Sequence, residues 1–257
     1  MIEYRGKSMC ISSAKGGVGK TTNLLNLAGI FEQLEKKVLI IDFDLYTGGQ
    51  AVYLNKENDK SIYNLYFDLL NNSYKDLSNY TIKIDNYIDL LCAPKDPRDA
   101  NKIDANYIKE IINKGKIEYD VVLVDTNHAL NDINLSVLDA VDEILFFITN
   151  DPLDLKNIRT LLSILDNLNF ENYSILLNNS RDPFKNYFSL YEIRKIIGHD
   201  INYSLSTDLY LKDIEKYIMK GLIISLDKNF ANIMRDDYKT FILIATDLLE
   251  RTSIKHE

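Results

Sequence analysis

Short apolar runs alternate along this chain with longer segments of helical period. The first run, residues 9–12, leads into a glycine-rich loop, after which Leu24, Leu27, Ala28 and Phe31 recur at helical spacing. That spacing predicts a helix beginning near Lys20. KVLIIDF at 37–43 carries an unbroken apolar run, the pattern of a strand covered on both faces. Runs at 88–93 (IDLLCA), 121–124 (VVLV), 144–149 (ILFFIT) and 173–177 (YSILL) repeat it, with a helix around 155–168. A helix over 187–197, a short edge strand over 201–205 and a closing helix over 231–249 complete the series. This alternation predicts an α/β fold: a doubly wound, mostly parallel sheet with helices on both faces. With no internal repeat, low-complexity tract or flexible linker, residues 1–257 read as a single domain.

Composition narrows the picture only a little. With 46% hydrophobic and 26% charged residues, the chain is globular and not disordered. A net charge of -8 disfavours a surface that is basic throughout, while leaving room for a local basic patch. Cys10 and Cys92 lie in separate apolar runs and read as buried reduced thiols. Without a C-x-x-C pair, a cysteine-held zinc or iron–sulfur site within one chain is excluded. The N-terminus has no apolar signal core, and no apolar stretch nears the ~20 residues that cross a bilayer. A soluble, cytoplasmic protein is the expectation.

The chemistry begins at Lys15-Gly16-Gly17-Val18-Gly19-Lys20-Thr21-Thr22. Backbone N–H groups turned inward by glycines can cradle a polyphosphate, and a following helix N-terminus adds its dipole. Lys20 would reach the β- and γ-phosphates, and the Thr21 hydroxyl would bind Mg²⁺. The plain alternative, a glycine turn with a chance lysine, does not account for strand, loop, Gly-Lys-Thr and helix in this order. Ala14 stands where the standard motif has its first glycine, and Lys15 follows it.

These residues resemble the deviant Walker A motif of the MinD/ParA-like ATPases, P-loop proteins that bind ATP and Mg²⁺ and dimerise. The resemblance implies that Lys15 crosses a dimer interface to the partner's ATP. It implies that Asp42-Phe43-Asp44 is a first switch, with Asp42 in the magnesium shell and Asp44 positioning the attacking water. If the strand continues as far as Asp44, alternation would place both carboxylates on one side, and Gly48 and Gly49 would let the next loop move. Asp125, closing VVLV, reads as Walker B and holds Mg²⁺. Asn178 or Asn179 would read the adenine, with a helix cap as the alternative for either. Ser206-Thr207-Asp208 falls where relatives place a proline and an acidic residue near the base.

The chain also departs from the pattern. After Asp125 it has Thr126-Asn127-His128-Ala129, where the family has proline and often glycine, which puts hydrolysis rate and switch motion in question. His128 has two readings, a contact to phosphate or partner and a plain loop histidine, of which the second is the simpler. The segment from Leu90 to Ala100, with Asn150-Asp151-Pro152 and Gly221, is most similar to the CpaE/TadZ pilus-assembly branch. A short tail of mixed charge, residues 248–257, argues against the basic amphipathic helix of membrane-binding MinD proteins. The expected function is a slow ATPase whose ATP-dependent homodimer positions or assembles a protein partner or cargo. The alternatives are a non-hydrolysing scaffold dimer and a ParA-type DNA-segregation ATPase.

Overall fold

The computed structural model describes residues 6–57, 59–179, 187–209, 217 and 219–250. Eight strands form one sheet: β1 (Lys7–Ser12), β2 (Val38–Asp42), β3 (Thr81–Lys83), β4 (Ile88–Leu91), β5 (Val121–Asp125), β6 (Glu143–Ile148), β7 (Tyr173–Asn178) and β8 (Tyr203–Leu205). Their spatial order is β3-β4-β2-β5-β1-β6-β7-β8, and all neighbours are parallel except β3 against β4. The expected doubly wound α/β fold is therefore present.

Ten α-helices lie among the described residues: α1 (Lys20–Gln33), α2 (Gly49–Tyr53), α3 (Ile62–Leu70), α4 (Pro97–Ala100), α5 (Ile108–Glu118), α6 (Asp132–Ala140), α7 (Pro152–Asn167), α8 (Leu190–Ile197), α9 (Phe230–Ile233) and α10 (Arg235–Glu250). The closing helix expected over 231–249 is thus divided in two at Met234. The mixed-charge tail continues through 251–257, outside the described residues.

The strands read as unbroken apolar runs because each is covered twice. Met9, Ile11, Val38, Ile40, Leu123 and Phe147 pack into one layer with α1 and α10. Cys10, Leu39, Ile41, Val122, Val124 and Phe146 pack into the other with α5, α7 and α8. Burying a large apolar side chain contributes about 1.5–3 kcal/mol, so these two layers hold the sheet rigid beneath its loops. At Gly29 a β-carbon would lie 2.3 Å from Ser225 Oγ, so glycine there lets α1 pack closely on the 3-10 turn Ile224–Leu226.

Register sets the position of the site. Asp42 pairs with Asp125 across β2 and β5, and Ile11 pairs with Asp125 across β1 and β5. Two carboxylates and the start of the glycine loop therefore meet at the carboxyl ends of three adjacent central strands. Open α/β sheets bind their ligands at this edge.

Candidate functional site at the end of the central strands

The loop after β1 closes on itself before it meets any ligand. Gly17 (φ 77°) and Gly19 (φ 96°) take left-handed backbone conformations, and Gly19 caps α1. Gly16 has no such conformation; a β-carbon there would touch the His128 ring 3.4 Å away, which places the imidazole over the loop. Lys20 is nearly buried and donates from Nζ to Ser13 Oγ at 2.8 Å, while Ser13 Oγ donates to the Lys15 carbonyl at 2.7 Å. Burial draws the Lys20 ammonium below its ordinary pKa, and Asp125 and Asp44 oppose that shift. Val18 is buried, and its carbonyl accepts from Asn178 Nδ2 at 2.8 Å, fastening the loop to β7.

Below the loop lie the acidic groups. Asp125 Oδ2 accepts from Thr21 Oγ1 at 2.8 Å and from Gln50 Nε2 at 2.8 Å. Asp42, also buried, accepts from the Asp44 N–H at Oδ1 and from the Gln50 N–H at Oδ2, both at 3.1 Å. Burial, reinforced by each other's charge for Asp42, raises both carboxyls above the ordinary aspartate range. Because β2 ends at Asp42, Asp44 lies beyond the strand, and strand alternation does not set its direction. It is half-buried and accepts from the Thr47 hydroxyl, in a turn closed by Gly48 N–H to the Asp44 carbonyl at 2.8 Å.

The second lysine has a partner within its own chain. Lys15 Nζ lies 3.2 Å from Asp151 Oδ1, and the Lys15 side chain is 38% exposed. Asp151 also caps α7 through the N–H groups of Leu153 and Asp154, which fixes its position whether or not Lys15 is bound. Thr22, half-buried, follows Thr21 on the first turn of α1. Asn179 donates to Ser204 Oγ at 3.1 Å and to the Leu205 carbonyl at 3.0 Å, and it lines an open pocket with Leu177, Phe188 and Ser204. Ser206 is tied to Asp237 on α10 through its N–H (2.7 Å) and hydroxyl (2.6 Å). Asn127 Oδ1 accepts from Ala129 N–H at 2.8 Å and from Asn134 Nδ2 at 2.6 Å, pinning this unusual switch segment to α6.

The structure thus gathers Lys15, Gly16, Gly17, Gly19, Lys20, Thr21, Asp42, Asp44 and Asp125 around one strand edge. Sequence reasoning gave no role at the site to Ser13, Gln50 and Asp151, which hold four of these groups: Lys20, Asp42, Asp125 and Lys15. Among the described residues no three His, Cys, Asp or Glu side chains are placed to hold a metal by themselves. The donors present, one hydroxyl and one carboxylate beside a phosphate loop, suit Mg²⁺, which keeps several waters and is held mainly through substrate phosphates. Asp125 Oδ1 is buried without a hydrogen-bond partner, the kind of acceptor that a hydrated cation satisfies.

Two buried carboxyls with raised pKa values are costly to ionise at neutral pH. A carboxyl raised in the folded state lends stability below the unfolded value, near 4, and loses it as pH rises through the folded value. Asp125→Asn should therefore stabilise the nucleotide-free protein at pH 7 by roughly 1–3 kcal/mol, an advantage that shrinks toward pH 4. Denaturant melts in a chelating buffer at the two pH values check both the sign and the trend.

The AAA domain family model matches residues 6–177. A putative septum site-determining protein MinD from Emiliania huxleyi is 23% identical over 192 residues, which cover 73% of this chain and 70% of that protein. The crystal structure of a ParA family ATPase from Chlorobium tepidum superposes with a TM-score of 0.79 at 20% identity, covering 94% of this chain and 99% of that one. MinD from Pyrococcus horikoshii, solved in complex with Mg-ADP, gives 0.74 at 19% identity, with coverages of 94% and 95%. No helix among the described residues is long and apolar enough to cross a membrane.

Proposed function

The chain belongs to the AAA domain family and is a MinD/ParA-like ATPase; from this we propose that residues 1–257 act as one ATPase domain that binds Mg·ATP, dimerises around it and hydrolyses it slowly. The observation that carries the proposal is the hydrogen bond from Thr21 Oγ1 to Asp125 Oδ2, made directly beneath a loop that holds two lysines. Thr21 and Asp125 are the residues that would hold Mg²⁺, with Asp42 beside them. When bound, the ion would neutralise negative charge on the polyphosphate. Lys20 supplies a cation to the same oxygens, and the N–H groups from Gly16 to Thr22 line the rest of the polyphosphate. The adenine would lie toward the end of β7, where Asn178 and Asn179 stand. The relative solved with Mg-ADP supports this choice of ligand.

Asp44 is the residue that would orient the attacking water. To do so it must exchange its contact with Thr47 for a water beside the γ-phosphate, so its carboxylate is held in reserve in the structure described. The dimer and its cycle would serve to position or assemble a cytoplasmic protein partner or cargo, with pilus assembly and DNA segregation as the two settings that the sequence suggested. A second reading is supported by Asn127, whose hydrogen bonds to Ala129 and Asn134 restrain the switch: a nucleotide-holding scaffold that does not turn over. Steady-state phosphate release separates the two. The ATPase predicts slow turnover that Asp44→Ala lowers by about 10²-fold or more, the scale on which removing a water-activating group acts. Equal background release from both proteins would favour the scaffold.

A further inference from the structure

Gln50 is fully buried at the second position of α2 and contacts both switch carboxylates, Asp42 through its backbone N–H and Asp125 through its side-chain amide. The other end of that amide, Oε1, is buried without a hydrogen-bond partner, as is Asp125 Oδ1. An unpaired buried acceptor is destabilising, and this one carboxylate–amide pair carries two of them. Both can be satisfied by a group that brings several donors, and the waters around a divalent cation are such a group.

Glutamine can meet both needs at once, because its amide is both donor and acceptor. We propose that Gln50 is a positioning residue for the metal: its Nε2 holds Asp125 in place while its buried Oε1 accepts from a metal-bound water. The backbone N–H of the same residue grips Asp42, and Asp42 in turn accepts from the Asp44 N–H. A metal-bound water held by Oε1 would therefore tie metal occupancy, through Gln50 and Asp42, to the segment that carries Asp44. This rests on the reading of the loop as a Mg·nucleotide site, but the role falls to a residue outside the phosphate loop and both carboxylates.

Gln50→Met keeps the length of the side chain and removes both donor and acceptor. Gln50→Glu removes the donor and keeps an acceptor. The measurement is ADP affinity by calorimetry, once in EDTA and once in excess Mg²⁺, with far-UV circular dichroism confirming the fold. For the wild type, Mg²⁺ should tighten ADP binding. Gln50→Met should bind ADP in EDTA like the wild type and lose about tenfold or more of the gain from Mg²⁺, as outer-shell substitutions do. Gln50→Glu should retain that gain. A wild-type gain in Gln50→Met, or an equal loss in both variants, would overturn the role of Gln50 while leaving the nucleotide site intact. No ADP binding by the wild type in either buffer would overturn the site and the inference together.

Discussion

Lys20→Ala should lower ATP and ADP affinity by about 100-fold or more, since truncating one partner of a buried charged contact costs about 2–5 kcal/mol. The side chain is nearly buried and already aimed by Ser13, so little reorganisation is needed before it meets a phosphate. Its loss has a second consequence in the absence of nucleotide. Lys20 is the cation that opposes the raised pKa of Asp125, so removing it leaves the buried carboxyls less compensated. The stability of the variant relative to the wild type should therefore fall as the pH rises from about 4 to 7 and those carboxyls lose their protons without a neighbouring cation. Nucleotide titration with a parallel denaturant melt reads both effects. Near-normal affinity would show that the phosphates lie elsewhere.

How far this site could be read in advance depended on what kind of signal each part carries. The loop was legible because its chemistry needs a fixed order of residue types, and β1, β2, β5, β6 and β7 were legible because burial on both faces leaves unbroken apolar runs. Asp42 and Asp125 followed from being the polar ends of such runs. Helix α5 is harder to see: its buried face runs from Ile108, Ile111 and Ile112 into Gly115 and Lys116, a poor helix former and a charge, which cut the apolar stripe short. At Gly115 a β-carbon would lie 2.9 Å from Leu39 Cδ2, so packing dictates the residue that blurs the pattern. Strand β3 has only three residues, pairs antiparallel at the sheet edge and buries little.

Gln50 shows the limit most clearly. In α2 it is fully buried while Val52 is 73% exposed, the reverse of what hydrophobicity alone predicts. Gln50 is held by Asp42, on the strand before it, and by Asp125, which is distant in sequence, and no local pattern records either contact. The same holds for Asp151, whose contact with Lys15 joins positions 136 residues apart in a chain read from Lys15 to Asp151. For Asp44 the limit is different: the strand ends at Asp42, so alternation does not set the direction of its side chain.

Lys15→Ala is the second large effect expected. In the described state Lys15 pairs with Asp151 at a partly exposed position, where such a pair is worth about 0–1 kcal/mol. Release is therefore inexpensive, and folding stability should change little on substitution. In the proposed site the phosphates would be held by the loop's backbone and Lys20, so nucleotide affinity should stay within a few-fold of the wild type. In the ATP-bound dimer the lysine would gain a charge-assisted contact to the partner's phosphates, and losing that contact twice in a symmetric dimer should abolish association. Lys15 is thus separable from Lys20: one variant loses the dimer and the other loses the nucleotide.

The most direct test of an ATP-gated dimer is the mass in solution, by light scattering on a sizing column, of wild type and Lys15→Ala with Mg²⁺ and either ADP or a non-hydrolysable ATP analogue. The account predicts a wild-type dimer with the analogue, a monomer with ADP, and a Lys15→Ala monomer with both despite normal analogue binding. A Lys15→Ala protein that dimerises with the analogue as the wild type does would contradict it.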